Sequence, residues 1–276
     1  DFTRAYLLGY EYIEIQSESG KGFSSEEIDT IENSYRSFPG AEIMAEEKNM
    51  KRIEIITSFI KNDPYKLMHT LFRLTLSMLQ RISNILDPEK TKLFDEISFD
   101  EEIERIKNID ERVNRKFFLI VRQLRALIQD SSLRKTQHID TLRIMDFRLM
   151  SHLLENIGDN CVRICDHIKE FKNLLLLLIK KDYEPDSDKI LDTLISVSKQ
   201  ATEFQRATFD AFIQHDYDAA VKLTNQHLGL TYDFKGYYAL CRSRIEKSNV
   251  VILFYRYFDI YNALVDICDL IQPERL

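Results

Sequence analysis

Residues 150–168 read MSHLLENIGDNCVRICDHI, and the spacing of their apolar side chains decides the fold. At about 100° per residue, these side chains fall on one stripe of an α-helix. Extended by one turn, the stripe comprises Phe147, Met150, Leu154, Ile157, Cys161, Cys165 and Ile168. The pattern predicts an amphipathic helix that packs with this stripe against other helices.

Two acidic residues, Glu155 and Asp159, lie on one flank of this helix. Carboxylates four residues apart on a helix are neighbours, and like charges there repel each other. Arg148, His152 and Asp166 lie on the same flank. The arrangement has two interpretations, which are a solvated surface neutralised by nearby arginines and a set of ligands for a cation.

The preceding helical segment carries a similar flank. Its apolar stripe comprises Ile106, Val113, Phe117, Ile120 and Leu124, and Asp110 and Asn114 lie four residues apart beside it. If the two helices are antiparallel, both flanks face one groove, and His152 adds a nitrogen. Carboxylate, amide and imidazole ligands suit magnesium, calcium, iron, manganese or zinc. The predicted metal site comprises Asp110, Asn114, His152, Glu155 and Asp159.

The composition predicts a mainly α protein. The 276 residues are 44% apolar and contain only seven glycines and five prolines, a balance that favours long helices. A net charge of −7 argues against binding of nucleic acid by this chain alone, because phosphate contacts need clustered Lys and Arg. The acidity fits a cytoplasmic protein that attracts cations.

The apolar segments exclude a membrane span and predict buried thiols. The longest apolar run, Leu174 to Ile179, is far shorter than the roughly 20 residues that cross a bilayer. The four cysteines show no paired CxxC spacing and sit in apolar helical patterns. We therefore interpret them as small buried side chains.

The order of patterns divides the chain into three regions. Residues 1–62 predict a small β-α-β-β module, with a serine cap and an acidic first turn on its helix. Residues 63–180 predict a three-helix bundle that begins at Asp63-Pro64, and residues 181–276 predict a second one. The matching triplets Ile164-Cys165-Asp166 and Ile267-Cys268-Asp269 indicate a tandem repeat.

The segment at 150–168 resembles the signature helix of the PhoU family, in which a Leu-Glu-Arg-Ile-Gly-Asp core is followed by small and apolar residues. Asn156 stands where that core has arginine. Residues 99–128, FDEEIERIKNIDERVNRKFFLIVRQLRALI, resemble the preceding helix of archaeal-type members, including Arg122-Gln123-Leu124. The resemblance covers about residues 64–272 and agrees with a tandem bundle.

The resemblance implies a regulator of phosphate uptake rather than an enzyme. Such proteins work with a phosphate transporter and its signalling partners. The resemblance also implies a surface metal cluster on each bundle, of iron or zinc, with magnesium as the alternative from ligand type. Glu155 and Asp159 fill one acidic motif, while Asp110 and Asn114 occupy the other, with an amide replacing an acid.

The second bundle departs from this pattern. Aligning the two Ile-Cys-Asp triplets places Phe258 and Asn262 where Glu155 and Asp159 stand, and the helix before offers only Asn225 and Gly229. A site without carboxylates does not hold a hard cation. We therefore expect at most one metal cluster, in the first bundle.

The N-terminal module resembles the segment that, in archaeal PhoU-like proteins, follows an AbrB-type DNA-binding domain. If such a domain precedes Asp1, we expect a transcriptional regulator that contacts DNA through it. DNA binding is expected only in that form.

Two other interpretations stay open. A helical bundle can hold two metals for enzymatic chemistry, but known di-metal bundles use Glu-x-x-His, whereas this chain has His152-x-x-Glu155, once. Alternatively, aromatic residues on several faces of the last helix bury against a second copy in a homodimer. These residues are Phe254, Tyr255, Tyr257, Phe258 and Tyr261.

Overall fold

The computed structural model describes residues 2–18, 20–56, 63–87, 90, 96–172, 187–226 and 249–271. Its N-terminal elements are α1 (Phe2–Leu8), β1 (Tyr12–Gln16), α2 (Ser25–Arg36), β2 (Ala41–Glu47) and β3 (Met50–Ile55). Then follow α3 (Pro64–Leu86), α4 (Glu96–Gln129), α5 (Ser131–Thr136), α6 (Thr141–Glu170), α7 (Ser187–Gln214) and α8 (Asn249–Asp269). Residues 217–226 are also helical. No helix in the described ranges is long and apolar enough to cross a membrane.

The predicted β-α-β-β module is confirmed. Its three strands form an antiparallel sheet in the order β1-β3-β2, in which Ile53 of β3 pairs with Ile13 on one side and Ile43 on the other. One face of the sheet packs on α1 and α2. The buried side chains of this core are Tyr6, Ile13, Ile31, Phe38, Ile53 and Ile55.

The short helix α1 is an element that the sequence pattern did not predict. Seven residues make two turns, which is too few for an apolar periodicity to stand out. Tertiary contacts stabilise so short a helix, because isolated helices of this length are marginal in water. Its end is fixed by Gly9 at φ 94°, where Gly9 N donates to Tyr6 O and Tyr10 N donates to Ala5 O.

Local capping explains the helix starts that were predicted correctly. Ser24 and Glu27 form a reciprocal capping box at the start of α2. The Asp63 carboxylate accepts a hydrogen bond from Tyr65 N at 2.9 Å, and Pro64 opens α3. Helix α3 ends at Leu86, as the following Asp-Pro pair predicted.

Other helix ends differ from the sequence prediction by one or two residues. Helix α4 already includes Glu96, two residues before Ser98, which the sequence pattern predicts as its cap. Helix α6 spans Thr141–Glu170 rather than 139–172, because Asp140 caps it through Arg143 N at 2.8 Å. The predicted break at His215 is confirmed by its φ of 53°. The helix predicted after this break, at 216–247, lies outside the described residues from 227 onward.

The chain forms two compact units, and both draw on helices α3, α4 and α6. Unit 1 comprises Asp1–Leu71 and Glu111–His152, and unit 2 comprises Phe72–Asp110 and Leu153–Leu276. The predicted division into three regions, at 62/63 and 180/181, follows the sequence order of the strand and helix patterns. This division stays a prediction.

In unit 1, a buried arginine joins the N-terminal module to α4. The Arg122 side chain is 1% exposed, and its guanidinium donates to the carbonyl oxygens of Tyr6 at 2.7 Å, Tyr10 at 3.1 Å and Gly9 at 3.4 Å. The same guanidinium lies 5.0 Å from the centre of the Tyr6 ring. The carbonyls at a helix C-terminus lack partners within the helix and carry partial negative charge, so they suit a buried cation.

In unit 2, buried polar contacts join α7 to its neighbours. The Gln205 amide donates to the Thr75 hydroxyl of α3 at 2.5 Å, and the Tyr261 hydroxyl of α8 donates to Val197 O at 3.1 Å. Both contacts are buried, so each specifies the register of the helix pair as well as stabilising it.

The predicted tandem repeat is visible in the burial pattern of α6 and α8. Aligning the two Ile-Cys-Asp triplets brings positions that are buried in both helices into register. The pairs are Met150/Leu253, Leu154/Tyr257, Ile157/Ile260, Cys161/Leu264, Ile164/Ile267, Cys165/Cys268 and Ile168/Ile271. The last helix therefore uses the same stripe as the third helix of the first repeat.

Replacing Arg122 should destabilise unit 1. Arg122→Met removes a buried donor set and leaves carbonyls at the end of α1 without these partners, which should lower the free energy of unfolding by about 2–4 kcal/mol. Amide exchange in residues 2–10 should accelerate. The control Arg125→Met changes an exposed arginine one turn away on the same helix and should stay within about 0.5 kcal/mol of wild type. Equal effects of the two substitutions would contradict the anchoring role.

Alkaline pH should weaken the fold through Tyr6. Burial raises the pKa of Tyr6 from 10.0 to about 12, against the opposing effect of Arg122 and Arg115. The unfolded chain loses this proton near pH 10 while the folded chain keeps it, so the free energy of unfolding should fall by about 2–3 kcal/mol as pH rises from 10 to 12.

The matched variant for this titration is Tyr6→Phe, which also removes the hydrogen bond from the tyrosine hydroxyl to Pro39 O at 3.1 Å. Its stability should be lower at neutral pH and should decline less steeply over the alkaline range. Urea unfolding at several pH values measures both slopes, and parallel slopes would refute the assignment to Tyr6.

Candidate functional site

Helices α4 and α6 run antiparallel, as the predicted acidic site requires. Within unit 2, Lys107 of α4 lies 2.7 Å from the Asp166 carboxylate of α6, and Asp100 lies 3.9 Å from Lys169. The earlier residue on α4 thus meets the later residue on α6. This geometry brings the flanks of the two helices to the same interface.

The predicted inward stripes are confirmed with one exception. All seven stripe residues of α6, from Phe147 to Ile168, are at most 1% exposed. On α4, Ile106, Val113, Ile120 and Leu124 are buried, whereas Phe117 is only partly covered. Burial of the stripes leaves the acidic flank of α6 at the edge of the helix pair.

Three of the predicted ligands belong to unit 2. Asp110, Glu155 and Asp159 are each half-buried. Cys161 of α6, two residues beyond Asp159, has a thiol whose pKa is raised. Burial is the main cause that raises the pKa of Cys161, and the charges of Cys165 and Asp110 add to it.

The Asp159 carboxylate already has a cationic neighbour. A nitrogen of Arg163, one turn later on α6, lies 3.4 Å from it. The pair is substantially exposed, and surface pairs at this spacing contribute only a few tenths of a kcal/mol. Asp159 is thus partly neutralised at little energetic gain.

The other two predicted ligands belong to unit 1. Asn114 is half-buried on α4, and His152 is exposed on α6. The His152 ring lies 6.3 Å from the ring of Phe117, centre to centre. The imidazole therefore lies beside an aromatic side chain of the neighbouring helix.

The five predicted ligands divide between the two units, so the metal site that they would form together stays a prediction. Among the described residues, which include all five, no group of three or more His, Cys, Asp and Glu side chains is placed to hold a metal ion. Metal binding by these residues stays a prediction from the sequence.

The second repeat lacks acids at the corresponding positions. Phe258 and Asn262 of α8 are half-buried, like Glu155 and Asp159 of α6. Of the aromatics on this helix, Phe254, Tyr257 and Tyr261 are buried within the chain, while Tyr255 is 52% exposed. Most of the aromatic surface is therefore used in the core, and a homodimer through this helix stays a prediction.

The predicted buried thiols are confirmed where they are described. Cys161, Cys165 and Cys268 are free and buried, and Cys241 lies outside the described residues. Burial raises the pKa of Cys165 to about 12 and that of Cys268 to about 11. Thiols held protonated in this way are poor nucleophiles and poor metal ligands.

Sequence reasoning missed an open groove between α4 and α6 in unit 1. Its volume is about 660 Å³. The lining residues are Val121, Leu124, Arg125, Ile128, Gln129, Ile144, Met145, Arg148, Leu149 and His152. Ile128, Met145 and Leu149 are 53%, 62% and 46% exposed, which is unusual for large apolar side chains that lie close together.

The missed signal is a second apolar stripe on α6. Leu142, Met145 and Leu149 follow helical spacing on a face away from the buried stripe. Packing in a core requires one apolar face, so the second apolar face is available for another contact. This second face distinguishes the stretch from the rest of α6.

Residues 68–168 match the family described as the PhoU domain. They form a PhoU domain. The two segments that carried the resemblance, 99–128 and 150–168, both lie inside the match, as do Arg122, the acidic flank and the groove. The recognition made from those segments is confirmed.

A solved PhoU structure shares the fold. The crystal structure of PhoU from Pseudomonas aeruginosa matches 76% of this chain and 93% of that one, with a TM-score of 0.57 and 13% sequence identity. The likeness confirms the predicted fold of tandem helical bundles around the PhoU domain, and at this identity it concerns the fold alone. None of the curated proteins matches the sequence.

The predicted metal site of the PhoU domain has a direct test. Protein purified without chelators should carry iron or zinc, at no more than one cluster per chain. The double substitution Glu155→Ala and Asp159→Ala should remove the metal with helix content intact, because two carboxylate ligands are lost. Asp166→Ala, which changes an acid on the same flank that pairs with Lys107, should leave metal content unchanged. Metal-free wild-type protein would overturn the site.

Proposed function

We propose that the chain is a PhoU-like regulator of phosphate uptake and phosphate homeostasis, acting through contacts with other proteins. The observation that carries the proposal is the PhoU domain at residues 68–168. The shared fold with PhoU of Pseudomonas aeruginosa supports it. The proposed partners are a phosphate transporter and the signalling proteins that work with it.

The features of the PhoU domain suit recognition better than turnover. Its cysteines are buried and held protonated, and its open groove is lined mainly by apolar and basic side chains. Grooves of this composition bind other proteins by excluding water from apolar side chains. The alternative is a carboxylate-bridged metal enzyme. Known di-metal bundles use Glu-x-x-His from two helices, whereas this chain has the reverse order, His152-x-x-Glu155, once.

Transcriptional regulation belongs to the proposal only in a conditional form. The described N-terminal module is an antiparallel sheet with two helices, and the chain has a net charge of −7. An acidic chain is a poor ligand for DNA. Contact with DNA is therefore proposed only for the case in which a longer chain carries an AbrB-type domain before Asp1.

Phosphate uptake in cells lacking the gene tests the regulatory role. The resemblance to the PhoU family implies a negative regulator. Its loss should therefore leave uptake of radiolabelled phosphate high when external phosphate is abundant, and expression of the wild-type chain should restore repression. Cells complemented with the empty vector serve as the control. Uptake that responds normally to phosphate in the deletion strain would refute the proposed function.

A further inference from the structure

We propose that the groove between α4 and α6 binds an amphipathic helix of a partner protein, with acidic side chains along both edges of its apolar face. The regulatory role of this partner rests on the proposed function. The preference of the groove for an acidic helix follows from its lining residues.

The apolar surface of the groove has the spacing that a helix recognises. Met145 and Leu149 of the lining lie one turn apart on one face of α6, and Leu142, which is 60% exposed, continues this face beyond the lining. Ile128 of α4 adds an apolar side chain from the opposite wall. From Ile144 to His152 the helix rises about 12 Å, which matches about two turns of an incoming helix. Such a helix would present apolar anchors at i, i+3 or i+4, and i+7.

The basic side chains of the groove favour an acidic binding partner. Arg125 lines one wall from α4, while Arg148 and His152 line the other from α6, and none of the ten lining residues is acidic. This basic lining belongs to a chain whose net charge is −7. A partner with glutamate or aspartate on both edges of its apolar face would place one row of acids against each wall.

Arg148 is positioned at the groove by an aromatic ring. Its guanidinium lies 5.4 Å from the centre of the Phe117 ring. Asp146 lies next to Met145 in sequence but outside the lining. The Asp140 carboxylate caps α6 through Arg143 N.

Fluorescence anisotropy with designed peptides tests the inference on the full chain. The first probe is a labelled amphipathic peptide of about 16 residues, long enough to form a helix, with leucines on one face and glutamates on both edges. The second has lysine at each glutamate position. We expect the acidic peptide to bind at least about tenfold more tightly, and added salt to reduce the difference.

Substitutions in the groove should abolish the binding of the acidic peptide. Met145→Asp with Leu149→Asp changes two exposed side chains, so the fold should be retained, and affinity should fall at least about tenfold. Arg125→Glu should reverse the preference between the two peptides. The matched controls are Ile213→Asp, at an exposed apolar residue of α7, and Arg112→Glu, at an exposed arginine of α4 outside the groove. Both controls should bind like wild type.

Three results would overturn the inference. The first is equal affinity for the acidic and basic peptides, or unchanged affinity in the groove variants, which would show that the groove does not select acidic helices. The second is self-association, measured by light scattering, that the double variant abolishes; the groove would then bind a second copy of the chain. The third is binding to phosphatidylglycerol vesicles that the same variant abolishes; the groove would then bind a membrane.

The two proposals fail in different assays. If the deletion strain regulates phosphate uptake normally, the proposed function is lost even when the acidic peptide binds. If the deletion strain shows the phenotype and the double groove variant restores repression as well as wild type does, the groove is not the regulatory contact. In that case the proposed function stands and the inference falls.

Discussion

A buried guanidinium needs several acceptors, and in unit 1 that need is met by the end of a seven-residue helix. Arg122 is placed on α4, inside the PhoU domain, and the carbonyls of Tyr6, Gly9 and Tyr10 surround it. Desolvating a cation is costly, so it remains buried only while these carbonyls stay in place. The N-terminal module and the PhoU domain therefore share one polar contact that neither completes alone. The aromatic ring of Tyr6 covers the cation and excludes water from it.

Helix α6 combines three surfaces that have different roles. Its buried stripe from Phe147 to Ile168 supplies the core, its acidic flank lies at the edge of the α4 pair, and its outer stripe lines the groove. The core stripe fixes the rotation of the helix about its axis, and this rotation sets where the other two surfaces point. The side chains of the acidic flank and the outer stripe are thus positioned by the buried residues of the core stripe.

The sequence was most informative where the determinants are local. Capping at Ser24 and Asp63 set helix starts, and periodicity identified the buried faces of α4 and α6. It was least informative for Arg122, because the acceptors are more than a hundred positions away and carry no side-chain signature. The acidic set shows an intermediate case. Helical spacing placed Glu155 and Asp159 on one flank, but spacing does not determine side-chain rotamers, so it did not establish a ligand geometry.

The two compact units are both discontinuous in sequence, because each takes part of helices α3, α4 and α6. A fragment containing one unit and lacking the other would expose severed helix ends, each with backbone amides or carbonyls that no longer have partners. Cleavage in a loop therefore does not separate the two units, because the boundaries between them lie within helices. A truncation that preserves either unit has to keep α3, α4 and α6 whole.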